Sequence, residues 1–246
     1  MGELADHEAV QAAHWDRADA AHYAWQTRDP VLAASERELL SLAAPRGRFL
    51  EVGCGEGGNL FHLRGGAAAR FALDRYPAKA RFARAQEPGL RAVAADALAL
   101  PFADRAFDTV LVRDLLHHVY DRRRALGEAW RVLAPGGELV LIEPNAQNPL
   151  ILAQGTLVPA ERGALRSTPG RLRRELAALP GAGPVEVHMA QPFPLERVLC
   201  HPQLGLPALG QSRLVRGALR LAERVQRRVL PRAVWAYFRA RVSKRG

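Results

Sequence analysis

The segment Phe49–Asn59, FLEVGCGEGGN, constrains the fold of this chain more than any other. An apolar run leads directly into a turn that holds Gly53, Gly55 and Gly57, and a helical stretch follows. Glycine lets a backbone turn tightly and approach a ligand without an intervening Cβ atom, and the free N–H groups at a helix start face such a ligand. The segment therefore predicts a strand, turn and helix that bind a nucleotide-type ligand. A tight turn without a ligand is the alternative.

The residues after Pro45 alternate between short apolar runs and helical stretches, which is typical of βαβ units and a parallel sheet. Five strands are predicted here, over Arg48–Gly53, Arg70–Asp74, Leu90–Ala95, Phe107–Arg113 and Glu138–Glu143. A helix is predicted over Asp121–Leu133, with Asp121 as its N-cap and with Pro135-Gly136-Gly137 at its end. The fold class is therefore α/β, a doubly wound sheet with helices on both faces.

The C-terminal part predicts a further helix over Ser167–Leu179, capped by Ser167 or Thr168, and a sixth strand over Pro184–Ala190. Apolar residues alternate with bulky or charged ones over Val234–Val242, which predicts a seventh strand. A Pro-rich stretch and a helix over Arg213–Leu230 separate these two strands. Together with the first five strands they predict a seven-stranded mixed, Rossmann-like sheet.

We expect the whole chain, residues 1–246, to form one domain. Residues 1–44 are predicted to be a helical cap, with a break at Pro30 and a second helix over Pro30–Leu42. Residues 45–150 form the ligand-binding core, and residues 151–246 carry a basic helical insertion at about 191–232 before the last strand.

Composition excludes several classes of protein. Hydrophobic residues make up 48% and charged residues 24% of the chain, which is too apolar for a disordered protein. No apolar run approaches the roughly 20 residues that span a bilayer, and the first residues lack the pattern of a signal peptide, so we expect a cytoplasmic protein. The two cysteines, Cys54 and Cys200, are far apart, so neither a disulfide framework nor a metal site is predicted.

The glycine spacing Gly53-x-Gly55-x-x-Gly58 also satisfies the dinucleotide fingerprint, and Asp74 follows about 20 residues later. Glu51, two residues before the first glycine, distinguishes the two interpretations. The run Glu51–Gly57 resembles the E/D-x-G-x-G-x-G motif of class I S-adenosylmethionine (SAM) methyltransferases. Further segments match that family in order and spacing across residues 45–145. They are Phe71–Asp74, Ala95–Phe102, Phe107–Val110, His117–Val119 and Arg131–Gly137. The resemblance is closest to the methyltransferases of ubiquinone and menaquinone biosynthesis.

This resemblance implies a set of cofactor-binding residues. Asp74 would accept hydrogen bonds from both ribose hydroxyls, which suits a carboxylate. Asp96 would accept from the adenine amino group, or else only initiate a turn. Arg113 would pair with the carboxylate of the methionine part, or else be a solvated arginine. The predicted site is completed by Glu51, Gly53, Cys54, Gly55, Gly57, Arg75 and Ala97.

The sequence offers one candidate for a catalytic base. An imidazole takes up a proton near neutral pH, and of the adjacent pair His117 and His118 we name His118. The simpler interpretation is that one histidine packs inward while the other faces solvent. The aromatic segments His14-Trp15-Asp16 and Tyr23-Ala24-Trp25 resemble the cap that closes over cofactor and acceptor in this family, although ordinary packing also explains them.

The resulting prediction is SAM-dependent methyl transfer to a small molecule that is quinone-like, a lipid or a secondary metabolite. A sulfonium donor carries its own leaving group, so the absence of a nucleophile motif agrees with this chemistry. Two alternatives remain open, an NAD-dependent dehydrogenase and a catalytically silent binding module with the same fold. The oligomeric state is not predicted.

Basic residues are concentrated near the C-terminus. Residues 1–159 carry a net charge of −2 and residues 160–246 carry +12, within a total of +10. On a helical projection of Arg213–Leu230, six arginines fall on one arc and an apolar set falls on another. That set is Leu214, Ala218, Leu221, Ala222, Val225 and Val229. We expect the apolar arc to pack on the domain with the arginines in water. The alternative is peripheral membrane contact through residues 211–230. Nucleic-acid binding is disfavoured because no aromatic residues interleave the arginines.

Overall fold

The computed structural model describes residues 2–201 and 206–246. Within these residues, seven strands form one sheet in the order β3-β2-β1-β4-β5-β7-β6. The strands are β1 (Gly47–Val52), β2 (Ala67–Asp74), β3 (Arg91–Ala94), β4 (Phe107–Arg113), β5 (Leu133–Pro144), β6 (Ala182–Met189) and β7 (Tyr237–Lys244). Strands β1 to β5 are mutually parallel, whereas β7 runs antiparallel to both β5 and β6. The predicted mixed sheet of seven strands is confirmed.

Ten α-helices are found in the described part of the chain. They are α1 (Gly2–Trp15), α2 (Ala20–Arg28), α3 (Leu32–Leu39), α4 (Gly58–His62), α5 (Pro77–Gln86), α6 (Arg122–Val132), α7 (Pro149–Leu157), α8 (Pro169–Ala177), α9 (Leu195–Leu199) and α10 (Arg213–Val229). Short 3₁₀ turns lie at Leu40–Leu42, Pro159–Arg166, Pro207–Gln211 and Arg232–Val234.

The central strands are buried on both faces, as a parallel sheet covered by helices requires. On one face, Leu50, Val110 and Leu139 belong to an apolar cluster that also contains residues of α6 and α8. On the other face, Phe49, Leu111 and Val140 belong to a second cluster with residues of α3, α4 and α5. Successive residues of a strand point to opposite faces, so neighbours in the sequence enter different clusters. The prediction of helices on both faces is confirmed.

Several predicted element boundaries differ from the structure, among them those of the last strand, of α3 and of β5. The last strand starts at Tyr237 and not at Val234, because a 3₁₀ turn covers Arg232–Val234. The Asn145 amide nitrogen donates to the carbonyls of Ala233 and Trp235, at 2.8 Å each. The helix predicted from Pro30 starts at Leu32, since Asp29 Oδ1 accepts the N–H groups of Val31 and Leu32. Strand β5 begins directly after α6 and includes Pro135-Gly136-Gly137, which were predicted to lie outside both elements.

Two predicted helix caps are present. Asp121 accepts the N–H of Arg124 at 3.0 Å and caps α6. Of the two candidates before α8, Thr168 is the cap, because its hydroxyl accepts the N–H of Arg171 at 3.3 Å. These caps satisfy N–H groups that have no partner within the helix.

The predicted insertion at 191–232 contains α9, the 3₁₀ turn Pro207–Gln211 and α10, while its residues 202–205 lie outside the described residues. The expectation that the apolar arc of α10 packs on the domain is wrong. Leu214 is 86% exposed, Leu221 is 60% exposed and Val229 is 67% exposed. A third side of the helix faces the domain instead, with Leu219 only 9% exposed.

Candidate functional site

A cavity of about 610 Å³ opens at the carboxyl edge of the sheet. After β1 the chain crosses to β2 on one side, and β4 lies on the other, so β1 and β4 flank the point where the strand order reverses. Ligands of doubly wound sheets bind at such a point. The residues after β1, β2 and β4 form one wall of the cavity, and α1, α2 and α7 contribute to the rest.

The glycine-rich turn after β1 has a backbone that only glycine adopts readily. Gly53, Gly55 and Gly57 have φ angles of 78°, 51° and 88°. A Cβ atom on Gly53 would collide with Leu115 and one on Gly57 would press on Ala83, whereas one on Gly55 would meet nothing within 4 Å. Gly55 therefore faces the open cavity, while Gly57 serves packing.

Asp74 ends β2 beside this turn and holds it in place. Its Oδ2 accepts the N–H of Gly55 and its Oδ1 accepts the N–H of Tyr76, each at 2.9 Å. Burial raises the pKa of Asp74, and the hydrogen bond from Tyr76 opposes that shift. Each oxygen keeps a lone pair beyond these bonds, so the carboxylate retains acceptors for a ligand at the cavity.

Glu51 lies beneath the turn and is fully buried. Its Oε1 accepts a hydrogen bond from the Asn59 amide, and its Oε2 has no hydrogen-bond partner among the described residues. Burial raises the pKa of Glu51 to about 8, against the opposing effects of Asn59 and Arg113. A buried oxygen without a partner is costly, so this oxygen is available to accept from a ligand group that reaches it.

Arg113, at the end of β4, is 4% exposed, so the solvated alternative is wrong. Its guanidinium pairs with Glu36 of α3, bonds Asn59 Oδ1 and lies 3.3 Å from Asp114 Oδ2. Burial alone would raise the pKa of Glu36, but Arg113 and Arg197 outweigh it and hold this pKa at about 2. The predicted pairing of Arg113 with a ligand carboxylate stays a prediction.

Asp96 and Ala97 both line the cavity after β3. Asp96 Oδ1 accepts the N–H of Leu98 at 2.8 Å, so the turn-initiating alternative is present in the structure, and the other carboxylate oxygen is not used by this bond. Arg75 also lines the cavity, but its guanidinium donates to Glu8 Oε1 of α1 at 2.9 Å. Arg75 thus connects the helical cap to the core.

The helical cap is tied to the glycine-rich turn through Glu56. The Glu56 carboxylate accepts the N–H of Asp19, and it lies 3.5 Å from His22 Nδ1 and 3.5 Å from Lys79 Nζ. Burial raises the pKa of Glu56, but His22 and Lys79 outweigh it and hold it at about 2. The carboxylate is therefore charged near neutral pH and holds α2 over the cavity.

The cap aromatics divide into two groups. Trp15 and Trp25 line the cavity, and Lys79 Nζ lies 4.8 Å from the Trp15 ring centre. Tyr23 instead packs edge-on against Phe82, with 5.6 Å between ring centres, and His14 packs edge-on against Trp15 at 4.5 Å. Tyr23 and His14 therefore show ordinary packing, and the closing of Trp15 and Trp25 over cofactor and acceptor stays a prediction.

His117 is buried between two carboxylates. Its Nδ1 lies 2.9 Å from Glu143 Oε2 and its Nε2 lies 3.5 Å from Glu161 Oε2. Burial lowers the pKa of His117, but the two glutamates outweigh this effect and raise it to about 10. The N–H groups of Leu115 and Leu116 also donate to Glu143. His117 is therefore a charged imidazolium near neutral pH.

His118 stacks beside His117, with 3.9 Å between the ring centres, and also lines the cavity. His117 packs inward, as the simpler interpretation predicts for one of the pair, and His118 is half-buried and faces the cavity. Its Nδ1 lies 3.2 Å from the carbonyl oxygen of Ala160. A carbonyl only accepts, so Nδ1 donates and Nε2 keeps its lone pair. Burial and the charge of His117 lower the pKa of His118 to about 3, so its ring is neutral.

Among the described residues, His117, His118 and Glu161 place potential metal-ligand atoms within 4.8 Å of one another. Each ring nitrogen of His117 faces a carboxylate, so both nitrogens can carry a proton and donate it to a glutamate. We therefore interpret this cluster as a hydrogen-bonded one. That the protein binds no metal here stays a prediction.

Comparison with known proteins bears on this geometry. Residues 50–141 match the family described as "Methyltransferase domain". The match covers less than half of the chain and indicates a methyltransferase domain over these residues. The demethylmenaquinone methyltransferase of Thermus thermophilus is 41% identical over 106 residues, which are 41% of this chain and 48% of that protein. A probable phthiotriol/phenolphthiotriol dimycocerosates methyltransferase of Mycobacterium ulcerans is 44% identical over 95 residues, which are 37% of this chain and 36% of that protein. The chain therefore spans less than half the length of these relatives.

A solved SAM-dependent methyltransferase from Thermotoga maritima has the same fold as nearly the whole of this chain. It superposes with a TM-score of 0.66 at 20% identity, over 92% of this chain and 95% of its own. At this identity the likeness shows the fold. The predicted methyltransferase resemblance and the Rossmann-like fold class are confirmed.

The geometry of the cavity also fits SAM. The space in front of Gly55 admits a ligand at the turn, and Asp74 offers acceptors beside it. Glu51 Oε2 and Asp114 Oδ1 are buried acceptors without a partner among the described residues, and Asp114 lines the cavity. The donor set and the orphaned oxygens therefore agree with this cofactor.

Several residues that line the cavity or contact its lining were missed by the sequence analysis. A signal existed for Glu143, an acid near the end of the fifth predicted strand, because the carboxyl ends of parallel strands share one edge. Asn59, which bridges Glu51 and Arg113, follows the glycine-rich turn and was quoted only as part of the motif. Glu36 and Glu161 carry no local signal, since only long-range packing brings them to the cavity.

Proposed function

We propose that residues 1–246 act as one SAM-dependent methyltransferase whose acceptor is a small apolar molecule. Residues 1–44 form its cap, 45–150 its cofactor-binding core and 151–246 its C-terminal part. One observation carries the proposal. The cavity that begins at Gly55 and Asp74 continues without interruption to His118 and to apolar residues of α7. Donor and acceptor can therefore lie in one water-poor space, which is the main requirement for transfer from a sulfonium.

On the donor side, Asp74 accepts from the ribose hydroxyls and Asp96 accepts from the adenine amino group beside Ala97. Gly53, Cys54 and Gly55 bring their backbone close to the cofactor, with Gly57 and Arg75 supporting the turn and the cap. Glu51 and Arg113 hold the charged end of the methionine part. When bound, SAM supplies a methyl group on a positively charged sulfur that leaves without further activation. The protein therefore binds, orients and excludes water.

The α7 side of the acceptor end is apolar. Leu150, Ala153, Leu157 and Val158 line the cavity there. Two relatives are named for a menaquinone precursor and for phthiotriol and phenolphthiotriol dimycocerosates. These observations favour a quinone-like or lipid acceptor over a charged one, because an apolar wall offers no compensation for a buried charge.

His118 is the residue we propose to contact the acceptor. Its Nε2 has a lone pair, and the Nδ1 bond to Ala160 fixes the ring. A hydroxyl of the acceptor can donate to Nε2 and so be turned toward the donor methyl. Because the pKa of His118 is lowered to about 3, this nitrogen orients the hydroxyl and does not retain its proton, which passes to bulk water as the methyl group bonds to oxygen.

We also propose a cytoplasmic protein with peripheral membrane contact through residues 211–230. Among the described residues, no helix combines the length and the apolar character needed to cross a bilayer. Contact would therefore be made at the surface, by a helix whose apolar residues are exposed.

The test is a titration of the purified full chain with SAM and, separately, with NAD, followed by incubation with methyl-labelled SAM and a demethylated naphthoquinol. We expect SAM to bind, NAD to be ignored, and label to enter the quinol. Binding of NAD in place of SAM would contradict the proposal. Binding of SAM without transfer to the quinol, to apolar lipids with hydroxyl groups or to an apolar extract would identify a silent binding module.

A further inference from the structure

The outer surface of α10 carries two neighbouring rows of opposite character. At about 100° per residue, one row is basic and the next is aliphatic. The exposed arginines are Arg213, Arg220, Arg224 and Arg228. The exposed aliphatic row is Leu214, Leu221, Val225 and Val229, at 86%, 60%, 49% and 67% exposed. Both rows face away from the domain.

A third side of α10 holds the helix in this orientation. Leu219 is buried against the domain, and Gln226 Oε1 accepts the N–H of Phe193 at 3.0 Å. Arg227 pairs with Glu38 of α3 and Glu223, and its guanidinium lies 5.3 Å from the Trp235 ring centre. These contacts hold the helix at its middle and at its C-terminal end. The aliphatic row is therefore exposed because the third side of the helix contacts the domain.

The basic row also forms a shallow cleft. Arg213, Arg216, Arg220 and Arg224 surround Gly217, in a space of about 440 Å³. A Cβ atom on Gly217 would meet nothing within 4 Å, so the floor of the cleft is open. Guanidinium groups arranged around an open floor suit a phosphate oxygen, which accepts from several N–H donors at once.

We propose that α10 docks on an anionic lipid bilayer, with its aliphatic row inserted at the acyl boundary and its arginines on the headgroup phosphates. This inference rests on the proposed membrane contact and names its lipid chemistry and its orientation. A bilayer interface offers an apolar layer directly beside a layer of anions, which matches two rows that lie side by side. Other occupants match only one row.

A second copy of the chain would cover the aliphatic row but would bring two arginine rows of the same sign together. Helix α10 has six arginines and a single acidic residue, Glu223, which already pairs with Arg227. Like charges at that separation repel. A nucleic acid would neutralise the arginines but leave four aliphatic side chains in water, and the row contains no aromatic residue for stacking on bases.

The experiment is co-sedimentation of the full chain with phosphatidylcholine vesicles and with vesicles that also contain phosphatidylglycerol. We expect binding to the anionic vesicles alone, weakening as salt is raised. Each cation near the surface contributes about 1 kcal/mol, or about fivefold in partitioning. The variant R213Q/R220Q/R224Q should therefore bind on the order of a hundredfold more weakly. The variant L214S/L221S should lose on the order of tenfold for each leucine.

The matched control is R81Q/R84Q/R123Q, which removes three exposed arginines from α5 and α6 and leaves α10 intact. It should keep vesicle binding. An equal loss in this control, equal binding to both vesicle types, or no sedimentation of the wild-type chain at low salt would each overturn the proposal. A wild-type dimer that dissociates in the variant L214S/L221S would also overturn the proposal, and it would identify a second copy of the chain as the occupant.

The affinity for SAM, measured on the same samples, separates this inference from the proposed function. The α10 variants should bind SAM as the wild type does, since their side chains lie outside the large cavity. Vesicle binding without SAM binding would reject the methyl donor and keep the docking surface. Binding of SAM without vesicle binding would reject the docking surface alone.

Discussion

The two ends of the large cavity are built in different ways. The proposed donor end comes mainly from Gly53 to Ala97, where the glycine-rich turn, Asp74 and Asp96 line the cavity. The acceptor end joins distant segments. Gln11 of α1 donates to the Ala160 carbonyl, His118 bonds that same carbonyl, and His7 bonds the backbone of His118.

This difference indicates what each end can tolerate. The donor end depends on backbone conformation, so replacing one glycine of the turn by a residue with a Cβ atom is expected to disrupt it. The acceptor end depends on side chains that pack over long sequence distances, so it can change with less damage to the fold. We expect substitutions at the donor end to act on SAM affinity and those at the acceptor end to act on turnover.

The largest effect is expected for Gly55→Val. A β-branched residue is strained at a φ of 51°, and its side chain would occupy the space in front of the turn, so SAM binding should be abolished. Isothermal titration with SAM measures this. Gly89→Val is the control, since Gly89 has a φ of 77° and equally open surroundings. If Gly55→Val bound SAM normally, the turn would be purely structural and the comparison would fail.

A smaller loss is expected for Asp74→Ala. This substitution removes the charged carboxylate that would accept hydrogen bonds from SAM. Losing hydrogen bonds to a charged group costs about 1.5–3 kcal/mol, or roughly 10- to 150-fold in the dissociation constant for SAM. The fold should remain, as judged by thermal unfolding. Asp104→Ala removes an acid whose side chain is 70% exposed and serves as the control. An unchanged affinity would exclude Asp74 from the cofactor site.

At the acceptor end, His118→Ala should lower kcat about tenfold through the loss of one orienting hydrogen bond, with SAM affinity unchanged. His118→Gln should restore part of the rate, and His188→Ala, on β6, should have no effect. A group whose pKa is lowered to about 3 stays neutral above that pH, so His118 should add no ionisation to the kcat profile between pH 5 and 8. A step near pH 6.5 that disappears in His118→Gln would instead make His118 a general base.

The smallest effect is expected outside both ends, on α10. Leu221→Asp should change the free energy of unfolding by no more than about 0.5 kcal/mol, as is usual for an exposed site. Leu219→Asp, two positions earlier and 9% exposed, should destabilise the protein clearly, because it buries an unpaired charge. Chemical denaturation of both variants measures the contrast. Similar losses for both would mean that the aliphatic row is packed after all.

The sequence by itself determined the parts that depend on neighbouring residues. The glycine-rich turn, the acid at the end of β2, the cap of α6 and the alternation of apolar runs follow from local conformational preference and from periodicity. These features predicted the sheet, the family and the donor end of the cavity. They also predicted β4 to its observed bounds, Phe107–Arg113.

Only the tertiary structure decided the rest. The charge states of His117 and His118 depend on Glu143, Glu161 and the Ala160 carbonyl, which lie 26 to 44 residues away in the chain. Arg113 is buried because Glu36 reaches it from α3, a contact with no local pattern. The direction in which α10 faces depends on which of its three sides finds partners in the domain. A sequence gives the angular order of those sides, but not which one is covered, because coverage is a property of the surface against which the helix packs.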